Sequence, residues 1–331
     1  MTPQEILNRF KSLNVLVVGD ICLDRWCFYE PSAAEASRET GINRIGVVRF
    51  ESTAGACGTI ANNLVDLGIG KVSVLGVIGD DSHGDELFRA LNTRDIGVDL
   101  VVRSPLVQTF TYTKHINQQT GVEDLPRVDF INMNPLPKPI DEVLTASFDN
   151  FAPYFDAILI CDQAETEFGG VVTESLRNSI VNLARKHPKI VVWVDSRRRA
   201  EHFRHCYLKP NEMEAKEAVM RTLGSTDFVA FARDLELKAL VVTHGERGAS
   251  VTDTKGTKHL PTIAVSDPVD VCGAGDSFSA GTASALASGA SMEEAVHFGN
   301  LVASITVMKP GTGTADPIEV LDAHEKWSAL Q

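Results

Sequence analysis

Near its C-terminal end the chain reads Asp270-Val271-Cys272-Gly273-Ala274-Gly275-Asp276-Ser277-Phe278, then runs into an Ala/Ser/Gly-rich stretch of helical character. Gly273 and Gly275 carry no Cβ, so a ligand can come close to the backbone there. A helix starting at this turn aims free N–H groups and the positive end of its dipole at one spot. Such a spot suits an anion, or an oxyanion that develops during reaction. Asp276, at the exit of the turn, is placed to take a proton from a hydroxyl beside that spot. An anion hole of Gly273, Ala274 and Gly275 with a base beside it is the equipment for phosphoryl transfer to an alcohol. The competing reading is a glycine-rich helix start that only packs tightly.

Other phosphate-binding motifs are missing. No segment supplies G-x-x-x-x-G-K-[ST], and the first strand leads into Gly19-Asp20-Ile21-Cys22-Leu23-Asp24 where a dinucleotide fold needs G-x-G-x-x-G. Phosphate binding, if present, must use the Gly273–Gly275 turn. Asp24 follows the first strand, where it either accepts hydrogen bonds from sugar hydroxyls or caps a turn. Ala54-Gly55-Ala56-Cys57-Gly58-Thr59 is a small-residue turn opening a helix. Asn211-Glu212-Met213-Glu214 opens another, and Asn-x-x-Glu fits either a metal and phosphate pair or a capping box. Thr243, Gly245 and Gly248 end an apolar strand in a glycine-flanked turn. Lys114 and Arg127 lie on stretches with one wet face. They either bind a substrate phosphate or form cross-strand ion pairs with Glu51, Glu123 or Asp129. Arg197 follows a strand ending at Asp195, at the sheet edge where ligands bind. Cys272 reads as a small packing residue beside the anion hole.

The elements that must carry these residues alternate. Apolar, β-rich runs at 15–18, 72–78, 99–102, 157–161, 190–194 and 239–243 alternate with helical patterns at 58–67, 81–93, 171–186, 211–221 and 227–235. Three helices close the chain, at 277–288, 292–308 and 317–328. Continuous apolar strands between helices predict a mostly parallel sheet covered on both faces. Residues 42–51, 108–117 and 125–132 instead alternate polar with β-branched residues. They predict a small antiparallel sheet, a lid, followed by a proline-rich linker over 132–139.

Composition narrows the function classes. Thirty-one Lys and Arg against 44 Asp and Glu give 331 residues a formal net charge of −13. That argues against nucleic acid or an anionic membrane surface as the main partner, though a local positive pocket for a phosphorylated substrate remains compatible. The six cysteines include no C-x-x-C pair and read as thiols of a cytoplasmic protein. Neither a signal-peptide core nor an apolar run of transmembrane length is expected.

Taken in this order, the segments resemble those of the ribokinase-like (PfkB) carbohydrate kinases over roughly residues 15–317. The D-x-x-G-A-G-D segment is the specific part. Within the family the likeness is strongest to the kinases of ADP-heptose biosynthesis, which phosphorylate heptose 7-phosphate at C1. It rests on Gly19-Asp20 with Leu23-Asp24-Arg25-Trp26, Thr113-Lys114, Arg127-x-Asp129, Asp195-x-Arg197, Lys209-Pro210-Asn211, the 270–276 turn and Lys309-Pro310-Gly311-Thr312. The kinase half alone is expected within these residues.

The resemblance implies a single α/β domain over 1–331. Its fold is a three-layer α/β/α arrangement with a mostly parallel central sheet and a small β lid from segments 26–52 and 106–132, often paired in a homodimer. It implies ATP and Mg²⁺, with Asp276 as base and Gly273, Ala274 and Gly275 as anion hole. Asn211 and Glu214 match the residues that place the metal and phosphates. Thr243, Gly245, Gly248 and Asn300 flank the nucleotide, while Asp24, Gly55 and Thr59 match the sugar site. The chain also departs from the heptose-kinase pattern. Gly-Gly-Ala-Ala-Asn becomes Gly55-Ala56-Cys57-Gly58-Thr59, so Thr59, Asn62 or Asn63 stands in for a sugar-facing Asn. Asp-Tyr-x-Lys-Gly becomes Asp162-Gln163-Ala164-Glu165-Thr166, and Cys272 replaces a Thr or Ser. These departures bear on the acceptor and leave the transfer chemistry intact. The alternatives are a kinase of an unphosphorylated sugar or nucleoside, a silent sugar-binding paralogue, or a dinucleotide oxidoreductase.

Overall fold

The computed structural model describes residues 1–166, 168, 170–263 and 265–329. Its framework is an eight-stranded sheet. In spatial order the strands are Thr257–Leu260, Ala249–Thr252, Ala239–Thr243, Tyr207–Leu208, Val191–Ser196, Ala157–Asp162, Asn14–Gly19 and Lys71–Leu75. The first two form an antiparallel hairpin on the edge, which pairs antiparallel with Ala239–Thr243 as well, and the remaining neighbouring pairs are parallel. Every residue of Ala157–Asp162 and Val191–Ser196 is buried, which is why these runs are continuously apolar.

Successive side chains of a strand point to opposite faces, and the core divides accordingly. Val15 and Val17 pack with helices Cys57–Asp66, Ala274–Ala287 and Met292–Thr306 on one face. Leu16 and Val18 pack with Lys138–Phe151, Glu174–Lys186, Glu212–Leu223 and Phe228–Asp234 on the other. This is the three-layer arrangement expected. Truncating a fully buried side chain such as Leu16 to alanine costs about 2–5 kcal/mol.

A separate four-stranded sheet forms the lid, in the order Val47–Ala56, Ile21–Tyr29, Phe110–Asn117, Val128–Phe130. It is mixed, where an antiparallel one was expected. Ile21–Tyr29 runs parallel to Phe110–Asn117, from Cys22 opposite Phe110 to Tyr29 opposite Asn117. The lid also begins earlier than residue 26. Gly19 has φ +132°, and a Cβ there would lie 2.2 Å from the Cys161 carbonyl oxygen. The chain therefore turns at this glycine out of the core sheet, and the next strand starts at Ile21, so Asp24 lies inside a strand and not in a turn. The stretches expected at 42–51, 99–102 and 125–132 become Val47–Ala56, Val102–Ser104 and Val128–Phe130. Two further helices went unread: Pro3–Phe10, closed by a Thr2–Glu5 capping box, and Lys138–Phe151, hidden behind the prolines at 135, 137 and 139.

Candidate active site

Helix Ala274–Ala287 starts at Gly273, which adopts a left-handed conformation (φ +79°) and offers no side-chain cap. The first bond onto the helix is Ser277 N–H to the Gly273 carbonyl at 2.9 Å. The amides of Gly275 and Asp276 therefore point into the space before the helix. Asp270 fixes the turn from behind, accepting the N–H of Cys272 (2.9 Å) and of Gly311 (3.2 Å).

The turn divides two clefts. On one side lies a mostly apolar cleft of about 250 Å³. Val271, Ala274, Gly275, Phe278 and Val307 form one part of its wall, and Thr243, Gly245, Gly248 and Asn300 another. On the other side a polar cleft of about 160 Å³ takes Cys272, Gly273 and Asp276 from the same turn. Opposite them stand Asp24, Thr59, Lys114, Arg127 and Arg197.

Asp276 is the electrostatic centre. Burial raises its pKa from 3.8 to about 7; Asp195 and Asp24 push the same way, and Lys209 and Arg197 oppose them. A carboxylate that titrates near neutrality is poised to accept a proton from an alcohol. Burial likewise lifts Asp24 to about 6, against a side-chain hydrogen bond from Cys22 and the charges of Lys114 and Arg127.

Several expected residues change role in the structure. Gly55 lies in strand Val47–Ala56, opposite Cys22, where a turn was expected. A Cβ at Gly55 would stand 2.3 Å from Asp24 Oδ2 and 2.6 Å from Cys22 Sγ, so this glycine makes the room Asp24 occupies. Ala56, not Gly55, supplies the left-handed residue (φ 51°) before helix Cys57–Asp66. Thr59 lines the polar cleft, and its hydroxyl is buried without a partner. Asn62 and Asn63 turn elsewhere, toward Thr53 Oγ1 and the Thr59 carbonyl. Arg127 pairs with Asp129 at 2.7 Å while lining the cleft, and no ion pair to Lys114 occurs among the described residues.

Asn211 and Glu214 form a complete capping box. Asn211 Oδ1 accepts from Glu214 N–H (2.9 Å), and Glu214 Oε2 accepts from Asn211 N–H (2.8 Å). They sit beside the strand that leads to the apolar cleft, since Asn211 bridges Thr243. Neither residue lines the two clefts. Among the described residues no three His, Cys, Asp or Glu side chains gather as a metal cage. The capping box uses Glu214 Oε2, so Glu214 Oε1 is the atom that would hold a magnesium ion, which would neutralise phosphate charge there.

Lys209 entered the sequence reading only within Lys209-Pro210-Asn211, with no role of its own. It is 4% exposed, its Nζ lies 2.7 Å from Asp195 Oδ2, and a Cβ at Gly275 would be 3.3 Å from that Nζ. A fixed cation therefore sits beside the amides of this turn. The signal available in the sequence was Lys209 directly before Pro210-Asn211, but its buried partner Asp195 comes from a different strand.

A parallel α/β/α sheet, with a glycine helix start at its carboxyl edge between an apolar and a charged cleft, defines a ribokinase-type phosphotransferase. The chain belongs to the pfkB family of carbohydrate kinases, whose family model matches residues 12–319, and it is a sugar kinase. It is 30% identical over 328 residues to the bifunctional protein HldE of Pelobacter propionicus and 32% identical over 321 residues to that of Geobacter metallireducens. These matches cover 97% and 94% of this chain but 65% and 63% of the relatives, so the chain spans just under two thirds of their length. Among solved structures, ribokinase from Thermotoga maritima superposes with a TM-score of 0.71 at 21% identity, covering 95% of this chain and 99% of that one. Phosphofructokinase-2 from Escherichia coli gives 0.71 at 21% identity, covering 96% and 99%. Arabidopsis thaliana ribokinase, solved with ribose and ATP, gives 0.67 at 20% identity, covering 94% and 98%. The last three share the fold.

Proposed function

We propose that the protein transfers the γ-phosphoryl group of ATP to a hydroxyl of a sugar phosphate, with heptose 7-phosphate as the first-choice acceptor. The observation that carries this reading is the placement of Lys114, which forms no ion pair among the described residues, with Arg127 and Arg197 across the polar cleft from Asp276 and Asp24. Two carboxylates suit sugar hydroxyls, and three cations suit a phosphate the acceptor already bears. The apolar cleft takes the adenine and ribose of ATP, with Asn300 and Thr243 at its polar points.

In this reading Asp24 and the Thr59 hydroxyl orient the sugar, and Asp276 takes the proton of the attacking hydroxyl. The amides of Gly275 and Asp276, backed by Lys209, hold the transferring group as its charge spreads over the equatorial oxygens. Magnesium, when bound through Glu214, neutralises phosphate charge. The chain's own task is positioning, which is most of what phosphoryl transfer requires.

The lid supports a homodimer. Val47 (45%), Phe50 (54%), Val128 (51%) and Phe130 (40%) are exposed on strands of this sheet, an apolar set a partner lid can cover. All six cysteines are free, in keeping with a reducing cytoplasm, and no helix among the described residues is long and apolar enough to cross a membrane.

An ADP-release assay against a panel of heptose 7-phosphate, fructose 6-phosphate, ribose, adenosine and free heptose tests the proposal. Phosphosugars should give the highest kcat/KM. Preference for a neutral sugar or a nucleoside would overturn the acceptor assignment, and no turnover with any of them would overturn the kinase mechanism. Sedimentation should show a dimer that a charge at Phe50 (Phe50→Glu) dissociates.

A further inference from the structure

A group of buried charges lies under the acceptor cleft, unused by the transfer chemistry. Asp20, 4% exposed, joins the first core strand to the lid. Its Oδ2 accepts the N–H groups of Gln163 (2.8 Å) and Ala164 (2.9 Å), and its Oδ1 accepts that of Val171 (2.8 Å). Asp162, fully buried, accepts the Ser196 hydroxyl (2.6 Å) and the Arg199 guanidinium (3.0 Å). Arg199 donates onward to the carbonyls of Ala164 (3.2 Å) and Thr166 (2.7 Å).

Four of these bonds reach one stretch of backbone, 163–166, and the others brace Asp20 and Arg199 beside it. Residues 163–166 belong to no helix or strand, so no ladder satisfies their polar groups. Buried side-chain charges do so instead. Burying charge is costly unless each group is fully partnered, so the arrangement tolerates few substitutions. The fit is close at Gly170, where a Cβ would lie 1.9 Å from Asp20 Oδ1. The same stretch supplies part of the acceptor site. Gln163 lines the polar cleft, and Glu165 holds Arg197, another lining residue, at 2.5 Å.

We infer that Asp20, Asp162 and Arg199 are positioning residues of the acceptor site: they fix the irregular segment 163–166, and through it Gln163 and the Glu165–Arg197 pair, in the orientation that meets the acceptor. The inference rests on the phosphotransferase reading for the word acceptor, and on hydrogen bonding alone for the clamp. The nucleotide cleft shares no wall with this segment. The clamp therefore acts on one substrate and leaves the other alone.

Asp20→Asn tests it with an isosteric change. In either orientation the amide sets its NH2 against backbone N–H donors that a carboxylate accepts. Arg199→Gln, which also removes the charge beside Asp162, serves as the second variant should the first fail to fold. Arg199→Lys is the conservative control, keeping the ion pair with Asp162 but unable to reach both carbonyls. With heptose 7-phosphate as the probe, the acceptor KM should rise about tenfold or more in Asp20→Asn and Arg199→Gln, and less in Arg199→Lys, as expected when reacting groups are held slightly out of place. The KM for ATP should stay within about twofold, a split that general loss of folding does not produce. Without any substrate, hydrogen exchange at the amides of Gln163, Ala164 and Val171 should quicken, while strand Ala157–Asp162 stays protected. Unchanged acceptor KM in a folded variant, a matching rise in both KM values, or unchanged exchange would each overturn the inference. Should the unaltered protein phosphorylate neither this probe nor any other sugar, the phosphotransferase reading falls, and the exchange experiment alone decides whether the clamp exists.

Discussion

The clefts on either side of the 270–276 turn are built from the same strip of chain, yet they differ in almost every physical respect. The side proposed for the nucleotide is apolar and walled by the hairpin-side loops and helix Met292–Thr306, with few charges. The side proposed for the acceptor is smaller, lined by carboxylates and cations, and roofed by a separate sheet. Neighbouring residues of one turn face opposite ways: Val271 and Ala274 line the first cleft, Cys272 and Gly273 the second. A common donor needs shape and burial, which a rigid core supplies. A particular acceptor needs a specific array of charges, and here those stand on the lid strands and an irregular segment.

This contrast can be broken most severely at its border. Asp276→Asn should lower kcat by about 10³-fold, the scale of a lost general base, while calorimetric ATP binding stays nearly unchanged. Near-normal turnover would mean that the border residue is not the base. The next effect is one-sided. Lys114→Ala with Arg127→Ala should raise the phosphosugar KM by about 10²-fold, since hydrogen bonds to charged groups contribute about 1.5–3 kcal/mol each. The ATP KM should not follow, and equal losses for a neutral sugar would show that the cations do not read a phosphate. The opposite one-sided change is Ala303→Phe, which places a ring in the apolar cleft. It should weaken ATP severalfold and spare the acceptor.

The smallest effects concern pH. With Asp276 titrating near 7, kcat/KM should fall on the acid side of neutrality as the base takes up its proton. Its folded pKa lies above the unfolded value, so the protonated form stabilises the fold. That contribution is complete below about pH 4 and lost as pH rises through 7. Asp276→Asn removes the burden of a buried charge, so its melting temperature should exceed that of the unaltered protein at pH 8 by several degrees. The gap should close toward pH 4. A gap independent of pH would place the pKa elsewhere.

Legibility in the sequence followed the same division. The turn and its base could be read because their geometry is local: two glycines, a carboxylate and a helix start within seven residues. The core strands could be read because burial on both faces leaves an apolar run. Ile21–Tyr29 was missed because Asp24 and Arg25 interrupt its apolar pattern and its neighbour Phe110–Asn117 is remote in sequence. Lys209 with Asp195, and Asp20 with the amides at 163, 164 and 171, were invisible for the same reason. Their meaning exists only once separate strands meet. Asn211 and Glu214 show the reverse case, since both the capping and the ligand readings were legible and the fold shows the cap.

The single-residue join at Asp20 has a mechanical consequence. A roof that opens and shuts usually swings on a slack connector, but this join is bolted to the floor by three amides. The lid is thus a cantilever anchored at its root. Any travel over the sugar must come from bending along Ile21–Tyr29 or from give in its remaining connections to the core. Were the lid to close over the cleft, stiffening those connections, not the root, would slow it.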